Sequence, residues 1–198
     1  MLYTIIILIA GVLISVFNCV FFLDNLNVAW WQISLITFAY IASVIIIDAI
    51  IALFINKLPK KWFDNESFIF KTYKWEKKFY EKLGIKKWKD KIPELGSLGN
   101  FSKSKIENPN SSAYIKQFII ESKVGECVHF LGMIFGFLLL IVPNFRLFIA
   151  LPVSIINVFM NIPSLLILRY NRPKLGVLLQ RAIRVEQRMQ QTELSKAS

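Results

Sequence analysis

Histidine and cysteine are scarce in this chain. His129 is the only histidine among 198 residues, and Cys19 and Cys127 are the only cysteines. Both cysteines lie within or at the edge of apolar stretches, so the sequence offers neither a disulfide framework nor the ligand spacing of a cysteine and histidine metal site. Any chemistry that needs an imidazole therefore depends on a single residue.

Acidic residues are also few. The chain has 13 Asp and Glu against 24 Lys and Arg, which gives a net charge of +11. A balance this basic indicates nucleic acid, anionic lipid or the positive-inside rule of membrane proteins. The positions of the cations along the chain decide among these.

Long apolar stretches dominate the sequence. It is 55% hydrophobic and contains 17 Phe, which is more apolar surface than one soluble core of this length can bury. Four stretches are long enough to cross about 30 Å of hydrocarbon at about 1.5 Å per residue, namely residues 2–23, 28–55, 126–142 and 147–168. We therefore predict an all-α polytopic membrane protein with four transmembrane helices, in a single membrane domain that covers residues 1–198.

The distribution of charge predicts the orientation. If both termini are cytoplasmic, the outer loops are residues 24–27 and 143–146, and Arg146 is the only Lys or Arg in them. The positive-inside rule then predicts a multi-pass protein of the cell membrane with both termini in the cytoplasm. Because the cations flank membrane spans, anionic phospholipid headgroups are favoured as partners and nucleic acid is not.

Two cytoplasmic segments combine cations with aromatic or apolar residues. The first covers residues 57–123, and within it residues 70–83 have the spacing of an amphipathic helix that lies on a membrane surface. Residues 91–110 are punctuated by Pro and Gly and predict a loop, after which residues 114–123 resume a helix. The second segment, residues 169–192, predicts a C-terminal basic amphipathic helix.

Polar and small residues recur on one face of each of the last two spans. Four residues connect these spans, which predicts an antiparallel hairpin in which His129 lies level with Met160 and Asn161. The repeated positions are Gly125, His129, Gly132 and Gly136 on one span and Ser154, Asn157, Asn161 and Ser164 on the other. Unpaired polar groups are costly in hydrocarbon, so we expect the two faces to meet. Asp48 of the second span lies near the same depth, where it would orient His129, contact an asparagine or be solvated in a crevice.

Glu126 and His129 are the leading candidates for catalysis. Their i, i+3 spacing places them on one helical face near the headgroups. We predict that His129 is a base that deprotonates a hydroxyl, that Glu126 orients it, and that Asn161 or Arg169 is a donor to an oxyanion. A satisfied interfacial pair and a metal site are the alternatives, but further carboxylates at comparable spacing are lacking and no metal is predicted. For the asparagines, the alternative is hydrogen bonding between helices.

Several short motifs between residues 58 and 180 together resemble one enzyme family. They are Phe70-Lys71, Trp75-Glu76, Lys87-Trp88-Lys89-Asp90-Lys91, Ile120-Glu121-Ser122-Lys123 with Glu126 and His129, Asn161-Ile162-Pro163, and Arg169-Tyr170-Asn171-Arg172-Pro173-Lys174-Leu175. In this order they resemble the glycosyl-4,4′-diaponeurosporenoate acyltransferases of staphyloxanthin biosynthesis. The resemblance implies transfer of a fatty acyl group to a sugar hydroxyl of a glycosylated carotenoid, or of another lipid-linked acceptor.

The two most specific motifs supply the candidate substrate-binding residues. These are Arg169, Tyr170, Asn171, Arg172 and Lys174 after the last span, and Trp88, Lys89 and Asp90 in the cytoplasmic segment. The resemblance implies an acyl-CoA or phospholipid donor and no bound cofactor, and the phosphates of the donor would meet Arg169, Arg172 and Lys174. Membrane anchoring by the positive-inside rule is the alternative role of these cations.

Two other functions are compatible with the same topology. One is a small membrane methyltransferase or reductase, although the sequence contains no glycine-rich cofactor motif that would support it. The other is a non-catalytic scaffold that binds anionic lipid through its two basic segments.

Overall fold

The computed structural model describes residues 2–64, 68–92 and 106–197, and it contains helices but no strand within these ranges. Four helical segments are long enough and apolar enough to cross a membrane: Tyr3–Phe21, Trp30–Lys57, Ser112–Ile141 and Arg146–Lys196. The predicted all-α fold class is confirmed, with four helices that are long and apolar enough to span a membrane.

Eight α-helices form the described part of the chain. In order they are α1 Leu2–Phe21, α2 Leu23–Leu26, α3 Trp30–Lys57, α4 Lys61–Asp64, α5 Lys74–Lys82, α6 Ile85–Trp88, α7 Ser112–Phe135 and α8 Leu151–Ala197. Single 3₁₀ turns cover Phe68–Phe70 and Lys89–Lys91. A 3₁₀ segment, Gly136–Ile141, continues α7, and a π-helical turn, Arg146–Ala150, leads into α8.

The last two spans extend beyond their predicted ends. The third was expected to begin at residue 126, but α7 begins at Ser112, so the predicted helix at 114–123 is part of the same helix. The fourth span and the predicted C-terminal helix are likewise one helix, because α8 continues without interruption from Leu151 to Ala197. Buried side chains such as Tyr170 and Leu175 hold this helix in place where the apolar stretch ends.

The predicted amphipathic helix at 70–83 was wrong in its first turn. The chain forms a 3₁₀ turn up to Phe70, and α5 begins only at Lys74. The Glu76 carboxylate accepts the backbone N–H of Tyr73, which caps the helix at that point (3.0 Å). The predicted loop at 91–110 lies for the most part outside the described residues.

The chain is organised as two compact units, and each is built from two stretches of sequence. The first unit comprises Met1–Lys57 and Cys127–Pro163, and the second comprises Leu58–Glu126 and Ser164–Ser198. Consequently α7 and α8 each contribute residues to both units.

In the first unit, α1, α3 and the turn between α7 and α8 form the apolar core. Ile33, Ile149 and Ala150 are fully buried there. The turn is closed by Arg146, whose Nε donates a hydrogen bond to the Leu140 carbonyl (2.8 Å). This bond satisfies a carbonyl near the end of the 3₁₀ segment that has no helical partner.

Glycines bring the end of α7 close to α8 in the first unit. The Gly136 carbonyl accepts a hydrogen bond from Ser154 Oγ (2.9 Å), and the Gly132 carbonyl accepts one from Asn157 Nδ2 (3.0 Å). A Cβ placed on Gly136 would lie 2.5 Å from Asn157 Nδ2. The expectation that the glycine face of one span meets the polar face of the other is therefore confirmed.

In the second unit, Tyr80 of α5 makes a buried aromatic contact with Tyr170 of α8. Their rings meet nearly edge-on, with centroids 6.5 Å apart. Fully buried Ile85 packs with them, and Trp88 of α6 covers the cluster. This packing fixes α5 and α6 against α8 within the unit.

We expect Gly136→Ala to destabilise the protein. The added methyl group must displace the Asn157 side chain, which is held by its bond to Gly132, at a cost of about 1–3 kcal/mol. Thermal unfolding in detergent should show a lower melting temperature. Gly176→Ala is the matched control, since a Cβ there meets nothing within 4 Å and alanine favours the helix. Equal effects of the two substitutions would contradict the close approach at Gly136.

Candidate active site

His129 and Asn161 form a hydrogen bond in the first unit. His129 Nδ1 of α7 lies 2.8 Å from Asn161 Oδ1 of α8. The histidine is half-buried and Asn161 is 8% exposed. The prediction that these two residues lie at the same depth in the hairpin is confirmed.

The surroundings of the Asn161 amide determine which imidazole nitrogen carries the proton. Three oxygen atoms lie within hydrogen-bonding distance of Asn161 Nδ2: Asn157 Oδ1 (2.9 Å), the Asn157 carbonyl (3.1 Å) and Asp48 Oδ2 (3.2 Å). These acceptors assign the NH₂ group to that end of the amide, so its oxygen faces the histidine. Because an amide oxygen only accepts, neutral His129 carries its proton on Nδ1, and Nε2 holds the lone pair.

Asp48 of α3 completes this polar cluster. Its Oδ2 accepts the hydrogen bond from Asn161, and its Oδ1 lies against Gly132, where an added Cβ would be only 2.7 Å away. Of the roles considered for Asp48 from the sequence, contact with an asparagine is the one observed. The cluster thus combines one carboxylate, two amides and one imidazole within a predominantly apolar unit.

Glu126 has different partners from those expected. It lies in the second unit, is 4% exposed, and forms ion pairs with Arg169 and Arg172. Asn161 Oδ1, rather than Glu126, therefore accepts the hydrogen bond that orients His129 at Nδ1, and the carboxylate of Glu126 pairs with the two arginines.

Arg169 is the centre of the network in the second unit. Its side chain has five N–H donors, and each has an acceptor. Nε donates to Glu76 Oε2 (2.9 Å), and Nη2 donates to Glu76 Oε1 (2.9 Å) and to the Lys71 carbonyl (3.0 Å). Nη1 donates to Glu126 Oε1 and to the Ile69 carbonyl (3.3 Å). A donor phosphate could bind this guanidinium only by displacing one of these acceptors. The geometry favours a structural role over the predicted phosphate contact.

The rest of the arginine motif is also turned largely inward. Arg172 is 7% exposed, donates to the Phe70 carbonyl (2.6 Å), and has its guanidinium carbon 5.7 Å from the Phe70 ring centroid. Tyr170 is 3% exposed and belongs to the aromatic core. Asn171 is half-buried, whereas Lys174 is exposed, with its Nζ 4.2 Å from the Tyr170 ring centroid.

The tryptophan motif lies at the end of α6. Trp88 is half-buried, and its Nε1 donates to the Leu83 carbonyl (3.1 Å). Lys89 forms an ion pair with its neighbour Asp90. These contacts are internal to the second unit, whereas the Asp90 side chain remains exposed.

Glu76 was not among the predicted site residues. It is 4% exposed, accepts two hydrogen bonds from Arg169, and accepts a third from the Tyr80 hydroxyl (2.9 Å). Burial raises the pKa of Glu76, but hydrogen bonds, above all from Arg169, outweigh it, so the pKa lies below its usual value and the carboxylate stays charged. The signal for Glu76 was its position in the Trp75-Glu76 motif, since its spacing alone does not reveal an arginine 93 positions away.

A model of the glycosyl-4,4′-diaponeurosporenoate acyltransferase family matches residues 59–181, which is more than half of the chain. The chain belongs to this family. The predicted enzyme class, an O-acyltransferase, is confirmed by this membership. His129, Asn161 and the charged network of the second unit all lie within the matched residues, whereas Asp48 precedes them.

Curated proteins with this name are similar to the chain at modest identity. The glycosyl-4,4′-diaponeurosporenoate acyltransferase of Staphylococcus aureus strain bovine RF122 / ET3-1 is 30% identical over 129 residues, which is 63% of this chain and 76% of that protein. The protein of the same name from strain N315 is 31% identical over 133 residues, with the same two shares. No solved structure matches the chain.

We expect Arg169→Lys to destabilise the second unit. A lysine has three donors and no planar fork, so it leaves the buried carboxylates of Glu76 and Glu126 short of partners. Complete loss of a charged partner in a buried pair costs about 3–5 kcal/mol. Because lysine keeps the charge, we expect a smaller loss, which should lower the melting temperature in detergent by roughly 5 °C. Arg181→Lys, at an exposed position of α8, is the control. Unchanged stability of Arg169→Lys would show that the network contributes little.

Proposed function

We propose that this acyltransferase moves a fatty acyl group onto a hydroxyl of a lipid-linked sugar, such as that of a glycosylated carotenoid, with His129 as the general base. The observation that carries the proposal is the hydrogen bond from Nδ1 to Asn161, which leaves the lone pair of a neutral imidazole on Nε2. Family membership supports the reaction class. The name shared by the curated relatives supports the acceptor.

The reaction requires one proton acceptor and one proton donor. Nε2 of His129 takes the proton of the sugar hydroxyl, and the oxygen attacks the carbonyl carbon of the acyl donor. A new C–O ester bond forms while the bond from the acyl carbon to the leaving group breaks. His129 then returns the proton to the departing thiol or alcohol.

Exposed apolar side chains next to the base suit an acceptor with a long hydrocarbon part. Phe130 follows His129 directly and is 52% exposed, and Phe159, two residues before Asn161, is 69% exposed. A carotenoid or other polyisoprenoid chain can lie in the bilayer against these residues while its sugar reaches the polar cluster. The amides and carboxylate there are suited to hydrogen bonding with sugar hydroxyls.

We propose that the donor is an acyl-CoA or a phospholipid, since each carries a transferable acyl group, as a thioester or as an ester, together with phosphate. Arg169 and Arg172 are engaged inside the second unit, so exposed lysines such as Lys174 are the better candidates to meet that phosphate. We propose no resident cofactor for the transfer.

We expect His129→Ala to reduce acyl transfer by about 10²–10⁴-fold, the usual contribution of a general base. Membranes that contain equal amounts of each variant would receive a glycosylated carotenoid and either labelled acyl-CoA or labelled phospholipid, and product would be measured by mass spectrometry. Cys127→Ala, two residues away on α7, is the matched control and should retain activity. Full activity of His129→Ala would refute the base role, and failure of both donors with the unsubstituted protein would refute the acyl transfer itself.

A basic aromatic surface in the second unit fits an anionic membrane. Trp75, Phe79 and Leu83 follow one another at intervals of four residues along α5 and its C-terminal cap, and all three are exposed, Trp75 to 64%. Exposed lysines at positions 74, 77, 78 and 82 flank them. We propose that this surface lies on the cytoplasmic leaflet, with the aromatic side chains among the headgroups and the lysines on anionic phospholipids.

The orientation that this requires has both termini in the cytoplasm. A fluorescent protein fused after Ser198 should fluoresce, and alkaline phosphatase at the same position should be inactive, since each reporter functions on one side of the membrane only. Fusions after Asn144, in the turn between α7 and α8, should give the opposite pattern. An active phosphatase at the C-terminus would overturn both the orientation and the placement of the basic aromatic surface on the cytoplasmic leaflet.

A further inference from the structure

We propose that Asp48 is a positioning residue for His129 and that it acts through Asn161. The three side chains form a chain of hydrogen bonds: Asp48 Oδ2 accepts from Asn161 Nδ2 (3.2 Å), and Asn161 Oδ1 accepts from His129 Nδ1 (2.8 Å). The inference rests on the proposed function, because it concerns the residue that acts there as base. It adds a residue of α3, which lies before the residues that the family model matches.

The need for such a residue follows from the symmetry of an amide. A side-chain amide can rotate by 180° and exchange its oxygen and NH₂ group with little change in shape. If Asn161 rotated, its NH₂ would face the imidazole, which would then have to carry its proton on Nε2. That tautomer has no lone pair on Nε2 and cannot take a proton from the acceptor there.

Asp48 is the one acceptor of Asn161 Nδ2 that α3 supplies. Its Oδ2 accepts from the NH₂ group, so rotation of the amide would bring two acceptor oxygens together at this contact. Asn157 opposes the rotation as well, because its backbone carbonyl accepts from Asn161 Nδ2 and its side-chain oxygen is held by the bond from Asn157 Nδ2 to the Gly132 carbonyl. Asp48 adds to these acceptors and connects the amide, and through it the imidazole, to α3.

The packing around Asp48 is adapted to this contact. Gly132 leaves space for the carboxylate, since a Cβ there would lie 2.7 Å from Asp48 Oδ1. That oxygen is enclosed and has no hydrogen-bond partner among the residues that the structure describes. A carboxylate with one unpaired oxygen in an apolar helix is costly and contributes little to the packing of helices. Its other oxygen can nevertheless fix the orientation of the Asn161 amide.

The single histidine makes a direct test possible. Labelling with ¹⁵N-histidine gives a spectrum of His129 alone, in which the ring-nitrogen shifts distinguish the Nδ1–H tautomer from the Nε2–H tautomer. The full chain in detergent micelles should show Nδ1–H. Asp48→Asn keeps the size of the side chain but makes it an amide that can rotate together with Asn161, so we expect a mixture of tautomers. Asp48→Leu, which removes the acceptor, should behave in the same way.

Kinetics provide a second, independent measurement. Loss of a residue that orients a catalytic group typically costs about 10–100-fold in activity, and here we expect the loss in kcat, with KM changed less than about threefold. Ser43→Ala is the matched control on α3, because its hydroxyl donates to the Ala39 carbonyl of the same helix (2.8 Å). It should leave both the tautomer and kcat unchanged.

The outcomes separate this inference from the proposed function. An Nε2–H spectrum in the unsubstituted protein, or an unchanged Nδ1–H spectrum in both Asp48 variants, would overturn the positioning role whatever the activity of His129→Ala. A folded Asp48→Asn protein with a mixture of tautomers and a reduced kcat would establish it. Full acyl transfer by His129→Ala would instead overturn the base role and, with it, the catalytic purpose of the Asp48 contact.

Discussion

Polar side chains that lack water must find partners within the protein, and this requirement shapes both units. In the first unit, hydrogen bonds link the carboxylate of Asp48, the amides of Asn157 and Asn161 and the imidazole of His129 to one another among apolar residues. In the second unit, two glutamates and two arginines do so. Each hydrogen bond joins one donor to one acceptor, so the orientation of one side chain in a network determines the orientation of the next.

The histidine and asparagine pairing could be predicted from the sequence because it depends on simple geometry. A four-residue connection fixes the pairing of two antiparallel helices, and the rise per residue then gives the depth of each side chain. Counting outward from the connection was sufficient to place His129 beside Asn161. The glycine face followed from helical periodicity in the same way.

The roles of the charged residues could not be predicted in this way. Sequence spacing placed Glu126 beside His129, but it could not show that two arginines more than 40 positions later would pair with the carboxylate. The same limit applies to the backbone at residues 69–71, whose carbonyls accept hydrogen bonds from Arg169 and Arg172 and are therefore held outside a regular α-helix. Long-range pairing of this kind leaves no periodic signal. The motifs that carry the family resemblance nevertheless meet in this network, because it contains Phe70, Glu76, Glu126, Arg169 and Arg172. A motif can therefore identify a family through residues that hold the fold together.

The turn that Arg146 closes has a consequence for the chemistry at the other end of the hairpin. One residue more or less in that turn would rotate α8 by about 100° and shift it by about 1.5 Å relative to α7, which is enough to separate an imidazole from its amide. The length of the turn, which contains neither residue, therefore sets the relative depth and rotation at which His129 and Asn161 face each other. The hydrogen bond from Arg146 to the Leu140 carbonyl stabilises the turn at this length.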